Sequence, residues 1–268
     1  MVKYVHGYSA RETERLYDQS SILEDILHTG TVYPPGSRVL EVGCGTGGQT
    51  VILTSRSPGA EITSVDLSPD SLSSAKAMLG NRGAKNVAML RADVFHLPFE
   101  DRSFDHVFVC FLLEHLEDPV GALAETRRVM RDGGSITVIE GDHGSCFWHP
   151  HTEESLGAWE CLIRAQADLG HDSLVGRRLY PLLVEADFDV LDVSPRSVYA
   201  DASNPVLLDG VVNRIMVPMV ETARERALEM GLVDRATWER GLEDLRRCGD
   251  PPAGTIFYTW FKGIALKA

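Results

Sequence analysis

The residues of this chain that could do chemistry gather first around a glycine-rich loop. Residues 38–48 read Arg-Val-Leu-Glu-Val-Gly-Cys-Gly-Thr-Gly-Gly. An apolar run, 39–42, meets glycines at 43, 45, 47 and 48, and a helix-compatible run, 49–54, follows at once. Glycine is required where a backbone turns sharply and a ligand must come close, because a Cβ blocks both. A strand-to-helix turn also aims free N–H groups and the positive end of a helix dipole at a polar or anionic ligand. Gly43-x-Gly45-x-x-Gly48 equally fits the dinucleotide fingerprint. Alone, the loop therefore specifies an adenosine-containing cofactor and leaves open which one. Further along, Asp66, Asp93, Phe111 and Glu140 each fall at or near the end of a strand-like run, and His143 follows three residues after the last. An imidazole there titrates near neutrality and could serve as a base.

The elements that must position these groups alternate. Ser9-x-x-Glu12 is a capping box that predicts a helix to about His28, with Leu16, Ile22, Leu23, Ile26 and Leu27 on its apolar side. Tyr33-Pro34-Pro35-Gly36 then breaks the chain before the first strand. A second strand, 60–65, ends on Asp66; Ser68 caps the next helix with Pro69 at its first position. A third, 87–90, leads into Ala92-Asp93-Val94-Phe95. The fourth, 104–111, is apolar enough to be a central parallel strand buried on both faces. Asp118-Pro119 opens a helix to about Met130, and the turn 131–134 feeds a fifth strand, 135–140. Residues 159–166 read as helix, and 188–193 and 255–266 as two further strands. Between those strands lie a helical segment, 206–230, kinked by Pro218, and an amphipathic one, 236–247. Strands alternating with helices imply a doubly wound, mostly parallel sheet of seven strands, whose ligands bind beyond the carboxyl ends.

Bulk properties exclude some partners. The chain has 268 residues, 44% hydrophobic and 24% charged, ordinary for a globular protein with a sizeable core. With 26 Lys and Arg against 39 Asp and Glu, the formal charge is −13, which disfavours nucleic acid and anionic membrane surfaces. The adjacent basic pairs at 127–128, 177–178 and 246–247 read as solvated helix surface. Cysteines at 44, 110, 146, 161 and 248 are odd in number with no paired spacing, as expected of buried thiols in a reducing compartment. The first residues are too short and polar a run for a signal peptide. The longest apolar run, 107–113, is far below a membrane span, so a cytoplasmic location is expected.

Taken together, residues 38 to about 140 resemble the class I S-adenosylmethionine-dependent methyltransferases. The glycine loop with Glu41 ahead of it resembles their first motif, and Asp66-Leu67-Ser68-Pro69 the acidic second. Ala92-Asp93-Val94 resembles the adenine-binding step, and Phe104-Asp105 with its apolar strand the fourth motif. Arg131-Asp132-Gly133-Gly134 departs slightly from the usual Lys/Arg-Pro-Gly-Gly turn. The last two strands resemble the family's antiparallel ending, which a nicotinamide-binding fold lacks. His6-Gly7-Tyr8-Ser9, Glu140 to Ser145 and the late helical stretch resemble bacterial natural-product methyltransferases, a group that includes C-methyltransferases of indole metabolites. The resemblance implies a Rossmann-like methyltransferase fold with a helical lid at 1–35, a core at 36–199 and 253–268, and a helical insertion at 200–252 for substrate or oligomerisation.

The resemblance implies S-adenosyl-L-methionine as cofactor, and physics is consistent with the residues it selects. A ribose diol wants a bidentate acceptor, which Asp66 supplies beside Leu67 and Ser68. Asp93 can accept from the adenine amino group, and Val94, after Ala92, can offer backbone N–H. Phe95 either packs on the ring or joins the core. Gly43 and Gly45 admit the methionine end, with Cys44 and Thr46 contributing main-chain groups. Glu41 fixes the loop or a cofactor ammonium rather than acting as base. Gln49 reaches toward substrate or lies on a helix surface. Cys110 and Phe111 end the fourth strand against the cofactor. His115 lines the pocket or is a structural histidine, and Tyr8 in related enzymes lies in the segment folded over the cofactor. His143 is either the general base or a loop anchor. His149 and His151, with His143 and Asp142, fit no common metal spacing, and no metal is expected.

The expected function is methyl transfer to a small, apolar, aromatic metabolite of indole type, by C-methylation in natural-product biosynthesis. Apolar residues such as Val206, Leu207, Ile215, Met216 and Met219 would line the acceptor cavity, or serve as core or homo-oligomer surface. O- or N-methylation of a similar molecule is the alternative within the class. An NAD(P)-dependent dehydrogenase and a non-catalytic cofactor-binding protein are the alternatives outside it.

Overall fold

The computed structural model describes residues 10–268; Tyr4, Tyr8 and the Ser9 cap lie outside the described residues. In chain order the elements are α1 (Ala10–Ile22), α2 (Glu24–Leu27), β1 (Arg38–Val42), α3 (Gly48–Arg56), β2 (Glu61–Asp66), α4 (Pro69–Arg82), β3 (Val87–Arg91), β4 (Phe104–Cys110), α5 (Pro119–Val129) and β5 (Met130–Gly141). They continue with β6 (Phe147–His149), α6 (Glu153–Asp168), α7 (Leu179–Glu185), β7 (Asp189–Ala200), α8 (Pro205–Asp209), a π-helix (Gly210–Met216), α9 (Val217–Thr222), α10 (Arg224–Glu229), α11 (Arg235–Arg247) and β8 (Thr255–Leu266). The chain divides into two compact units.

The unit that carries the glycine loop comprises Glu24–Gly141, Leu174–Arg196 and Trp260–Ala268. Its strands run in the order β3-β2-β1-β4-β5-β8, with β7 also paired to β8. The first five are parallel and β8 is antiparallel to β5. This is a doubly wound, mostly parallel sheet, as the alternation of strands and helices implies. Its helices start where the sequence places their caps. Ser68 accepts from Ser71 N with Pro69 next in line, and Asp118 accepts from Gly121 N ahead of Pro119. Gly83, at φ 68°, ends α4 in the left-handed conformation that only glycine adopts without strain.

Side chains alternate across each strand. One set, including Leu40, Val42, Val107, Val109, Ile136 and Val138, forms a continuous apolar core with residues of α5 and α7. The turn expected at 131–134 lies within β5 instead. Met130 pairs with Phe104 and Ser135 with His106, so these four residues bulge out of the register.

Residues 10–23, 142–173 and 197–259 belong to the other unit. Here β6 pairs antiparallel with the start of β8, Trp148 facing Ile256; this short eighth strand had no signature in the sequence. Helix α6 opens on a Thr152–Ser155 capping box and packs against α11, where Gly241 lets the backbones meet. A Cβ at 241 would fall 2.4 Å from Glu154 O.

Three expectations for helices are corrected. The first helix does not run unbroken to His28 but stops at Ile22 and restarts at Glu24. Its apolar side is buried only in part: Leu23 and Leu27 are fully buried and Leu16, Ile22 and Ile26 half-buried, while Glu12, Arg15, Gln19 and Ser20 are buried as well. Arg15 forks onto Glu12 at 2.8 and 2.6 Å and reaches Gln19 Oε1 at 2.7 Å, which neutralises the charge inside. The segment 206–230 is not one kinked helix. It passes through a π-helix that ends just before Pro218, whose missing N–H breaks the α-helical ladder there. No helix among the described residues is long and apolar enough to cross a membrane.

Candidate functional site

The glycine loop between β1 and α3 is held from below by β2. Gly43 N and Cys44 N both donate to Val65 O, at 2.9 and 3.0 Å. Gly43, Gly45 and Gly47 have φ of 75°, 52° and 89°, left-handed values that a side chain resists. A Cβ at Gly47 would strike Ala75 of α4 at 2.9 Å, so this glycine permits close helix packing. Gly45 differs, since nothing lies within 4 Å of where its Cβ would project.

Asp66 ties the loop to the next strand end. Its Oδ2 accepts from Gly45 N and its Oδ1 from Ser68 N, both at 2.8 Å. Burial pushes its carboxyl above the usual range, opposed by the N–H groups of Ser68, Gly45 and Leu67. A carboxylate has about four lone-pair sites, so acceptor capacity remains on Asp66 for a hydroxyl donor. Leu67 is exposed beside it. Ala92 N donates to Asp66 O at 3.1 Å, which brings the third strand end alongside. There Asp93 Oδ1 caps a turn by accepting from Phe95 N at 3.0 Å. Val94 packs on the apolar core and Phe95 is half-buried.

Glu41 is buried beneath the loop, and its Oε2 accepts from Thr50 Oγ1 on α3 and Ser64 Oγ on β2, both at 2.6 Å. Burial raises its pKa to about 7, with Ser64 and Thr50 opposing. It ties α3 to β2 beneath the loop. Its Oε1 and the buried Thr46 Oγ1 have no partner among the described residues.

At the end of β4, Cys110 is buried, which pushes its thiol well above the usual range. Phe111 adopts φ 55°, a strained left-handed conformation for a bulky residue, and its N–H donates to Ile139 O at 2.9 Å. His115 is largely buried with Nε2 3.6 Å from Glu114 Oε1.

Gln49, at the start of α3, is half-buried. Its Oε1 is 2.6 Å from Nε2 of His28, a fully buried imidazole stacked on Phe108 at 5.5 Å. Burial lowers the pKa of His28 to about 4, so the ring is neutral and donates to Gln49. Lys262 lies buried on β8 and donates to Leu27 O, Thr29 O and Thr31 Oγ1 at 3.4, 2.9 and 2.5 Å. Burial brings it down to about 8. Neither residue was singled out from sequence. One sits in a helix-like run and the other in a strand-like run, and nothing local marks them as polar groups turned inward.

His143 belongs to the other unit. Its Nδ1 lies 2.8 Å from Tyr258 Oη, its ring is 5.3 Å from Trp159, and its carbonyl accepts from Trp159 Nε1 at 2.9 Å. Its N–H donates to Ser173 O. The neighbouring Asp142 accepts from Gly144 N at 3.0 Å. Among the described residues no three His, Cys, Asp or Glu side chains gather as a metal-holding group.

The groups on the three strand ends fit an adenosine-containing donor. Gly45 leaves a space that a Cβ would enter, Asp66 keeps lone pairs beside it, and Thr46 and Glu41 offer buried atoms without partners among the described residues. Residues 40–138 match the methyltransferase domain model. An uncharacterised methyltransferase of Schizosaccharomyces pombe is 29% identical over 241 residues, 82% of this chain and 84% of that protein. The demethylmenaquinone methyltransferase of Staphylococcus aureus is 37% identical over 106 residues, 39% of this chain and 43% of that enzyme. The chain thus spans less than half the length of that second relative. Among solved structures, the [4+2]-cyclase SpnF aligns with TM-score 0.55 at 21% identity, covering 95% of this chain and 81% of that one. The geranyl diphosphate C-methyltransferase of Streptomyces coelicolor, in complex with S-adenosylhomocysteine, aligns with TM-score 0.53 at 14% identity, covering 93% and 78%.

Fold and domain match together define the class, a Rossmann-like methyltransferase. The protein is an S-adenosylmethionine-dependent methyltransferase, and S-adenosylmethionine is its cofactor.

Proposed function

We propose that this enzyme methylates a small, apolar, aromatic metabolite of indole type, at carbon. S-adenosylmethionine supplies an activated methyl group on a sulfonium whose departure leaves a neutral thioether. Asp66 would hold the ribose hydroxyls, Asp93 and the Val94 N–H the adenine, and the Gly43–Thr46 backbone the methionine end. Because the electrophile is already activated, the chain's remaining tasks are to align the acceptor, exclude water and remove a proton where the acceptor must lose one.

The observation that carries the acceptor proposal is the aromatic interior of the unit containing His143. Trp159 and Tyr258 lie 5.3 and 5.9 Å from its ring, and Trp148 packs on Trp159 at 5.8 Å. Flat apolar surfaces favour a flat apolar acceptor. His143 is proposed as the base, and the insertion 200–252, rich in buried Val, Ile and Met, as the acceptor-facing segment. Incubation with an indole panel, followed by mass and NMR analysis of products, tests this. A product methylated at ring carbon supports it, and methylation only at oxygen or nitrogen overturns the carbon-transfer proposal. Loss of about 100-fold or more in turnover on His143→Ala supports the base; a change within about threefold removes it.

A further inference from the structure

We propose that Glu140 is a positioning residue for the donor site, acting through Leu112 on the glycine loop. The proposal rests on the methyl-donor reading of that loop.

Glu140 lies at the penultimate position of β5 and is fully buried. A single oxygen, Oε1, accepts from two successive backbone groups, Leu112 N at 2.9 Å and Leu113 N at 2.7 Å. These two amides follow Phe111, whose φ of 55° turns the chain away from the sheet as it leaves β4. Past that reversal the sheet ladder can no longer serve them, and buried N–H groups without acceptors are costly. Glu140 replaces the ladder across the top of the strand.

What the loop carries explains why its placement matters. The Leu112 side chain lies directly against Gly43, where a Cβ would fall 3.0 Å from Leu112 Cδ1 and 3.1 Å from Cδ2. Leu112 therefore forms one wall of the glycine loop, while Val65 O holds the opposite side through the Gly43 and Cys44 amides. A shift of Leu112 toward the loop would displace Gly43, and a shift away would leave it unsupported. The acid is also an expensive choice. Burial beside the carboxylate of Glu114 pushes its pKa well above the usual range. An apolar side chain would cost less there and could not hold two amides.

Titration calorimetry with S-adenosylhomocysteine tests the proposal on the full chain. Glu140→Gln keeps a carbonyl oxygen at the same reach and should bind within about twofold of the parent. Glu140→Ala should weaken binding by about tenfold, the scale of one lost net hydrogen bond. Val138→Ala, on the same strand but in the apolar core, should lower the melting temperature and leave affinity unchanged. Glu140→Ala binding within twofold of the parent overturns the proposal, as does an equal weakening by Val138→Ala. Should Glu140→Ala not fold, Leu112→Ala takes its place, with a several-fold loss expected and unchanged affinity contradicting. If the parent chain itself binds no S-adenosylhomocysteine, the donor reading has failed rather than the role of Glu140.

Discussion

The two faces of the parallel sheet are made by alternate residues of the same strands, yet they contribute differently. On one, Leu40, Val42, Val107, Val109 and Ile136 pack against α5 and α7 with no polar group among them. On the other, Glu41, Ser64, Phe108 and Thr137 stand in register across four strands, with Lys262 opposite Ile139. Thr50 and His28 close on this second face through Glu41 and Gln49. Apolar burial is non-directional, so the first face stabilises the sheet without fixing any one distance. Hydrogen bonds are directional, so the second sets the angle at which β1 enters the glycine loop and α3 leaves it. The contrast teaches that stability and loop geometry are separable in this fold.

Substitutions can break that separation or sharpen it. Leu123→Ala on α5, at a fully buried site of the apolar face, should cost about 2–5 kcal/mol of unfolding free energy. Donor affinity should stay unchanged; a parallel loss of S-adenosylhomocysteine binding by calorimetry would erase the distinction between faces.

Acid should expose the polar face next. A histidine in the unfolded chain takes up a proton below about pH 6.5, whereas His28 in the fold does so only near 4. The unfolded state therefore binds more protons between those values. The contribution of His28 is intact above about pH 6.5 and declines as the pH falls toward 4, by about 3 kcal/mol at most. Glu41, raised to about 7, acts in the opposite sense between about pH 4.5 and 7 and cancels when two variants share it. Urea unfolding of the parent and His28→Gln across pH 4–7 should show the parent losing stability relative to the variant as the pH falls. A difference independent of pH would contradict the buried neutral imidazole.

Asp66→Ala removes a carboxylate that accepts Gly45 N and Ser68 N and that is assigned to the ribose. Its dissociation constant for S-adenosylhomocysteine should rise by about 100-fold, the worth of one to two charge-assisted bonds. Gln49→Ala should have the smallest effect, about 1 kcal/mol of stability and a few-fold in donor affinity, because it loosens only the first turn of α3. An Asp66 variant that binds as tightly as the Gln49 variant would mean that the loop, and not the acid, holds the nucleoside.

The first unit was largely legible in the sequence because its signals are local. Capped helices at Ser68 and Asp118, apolar strands and the glycine spacing each require only neighbouring residues. The same locality explains what escaped. Gln49 meets His28 across 21 positions, and Lys262 meets Thr31 across 231, contacts that no periodicity encodes. Helix α1 misled because its polar residues pair with one another at helical spacing and so turn inward. The π-helix before Pro218 was hidden because a proline signals a break without naming its form. The placing of Asp66 and Glu41 at strand ends was legible from the apolar runs they close. The bracing of Leu112 and Leu113 by Glu140 was not, since it joins two strand ends 27 and 28 positions apart.

The central claim is that this loop and Asp66 bind the nucleoside of S-adenosylmethionine. Parallel calorimetric titrations of the intact protein with S-adenosylhomocysteine and with NAD and NADP test it most directly. The account predicts saturable binding of S-adenosylhomocysteine, abolished or strongly weakened in Asp66→Ala, and none of either dinucleotide. Saturable binding of NAD or NADP with none of S-adenosylhomocysteine would contradict it.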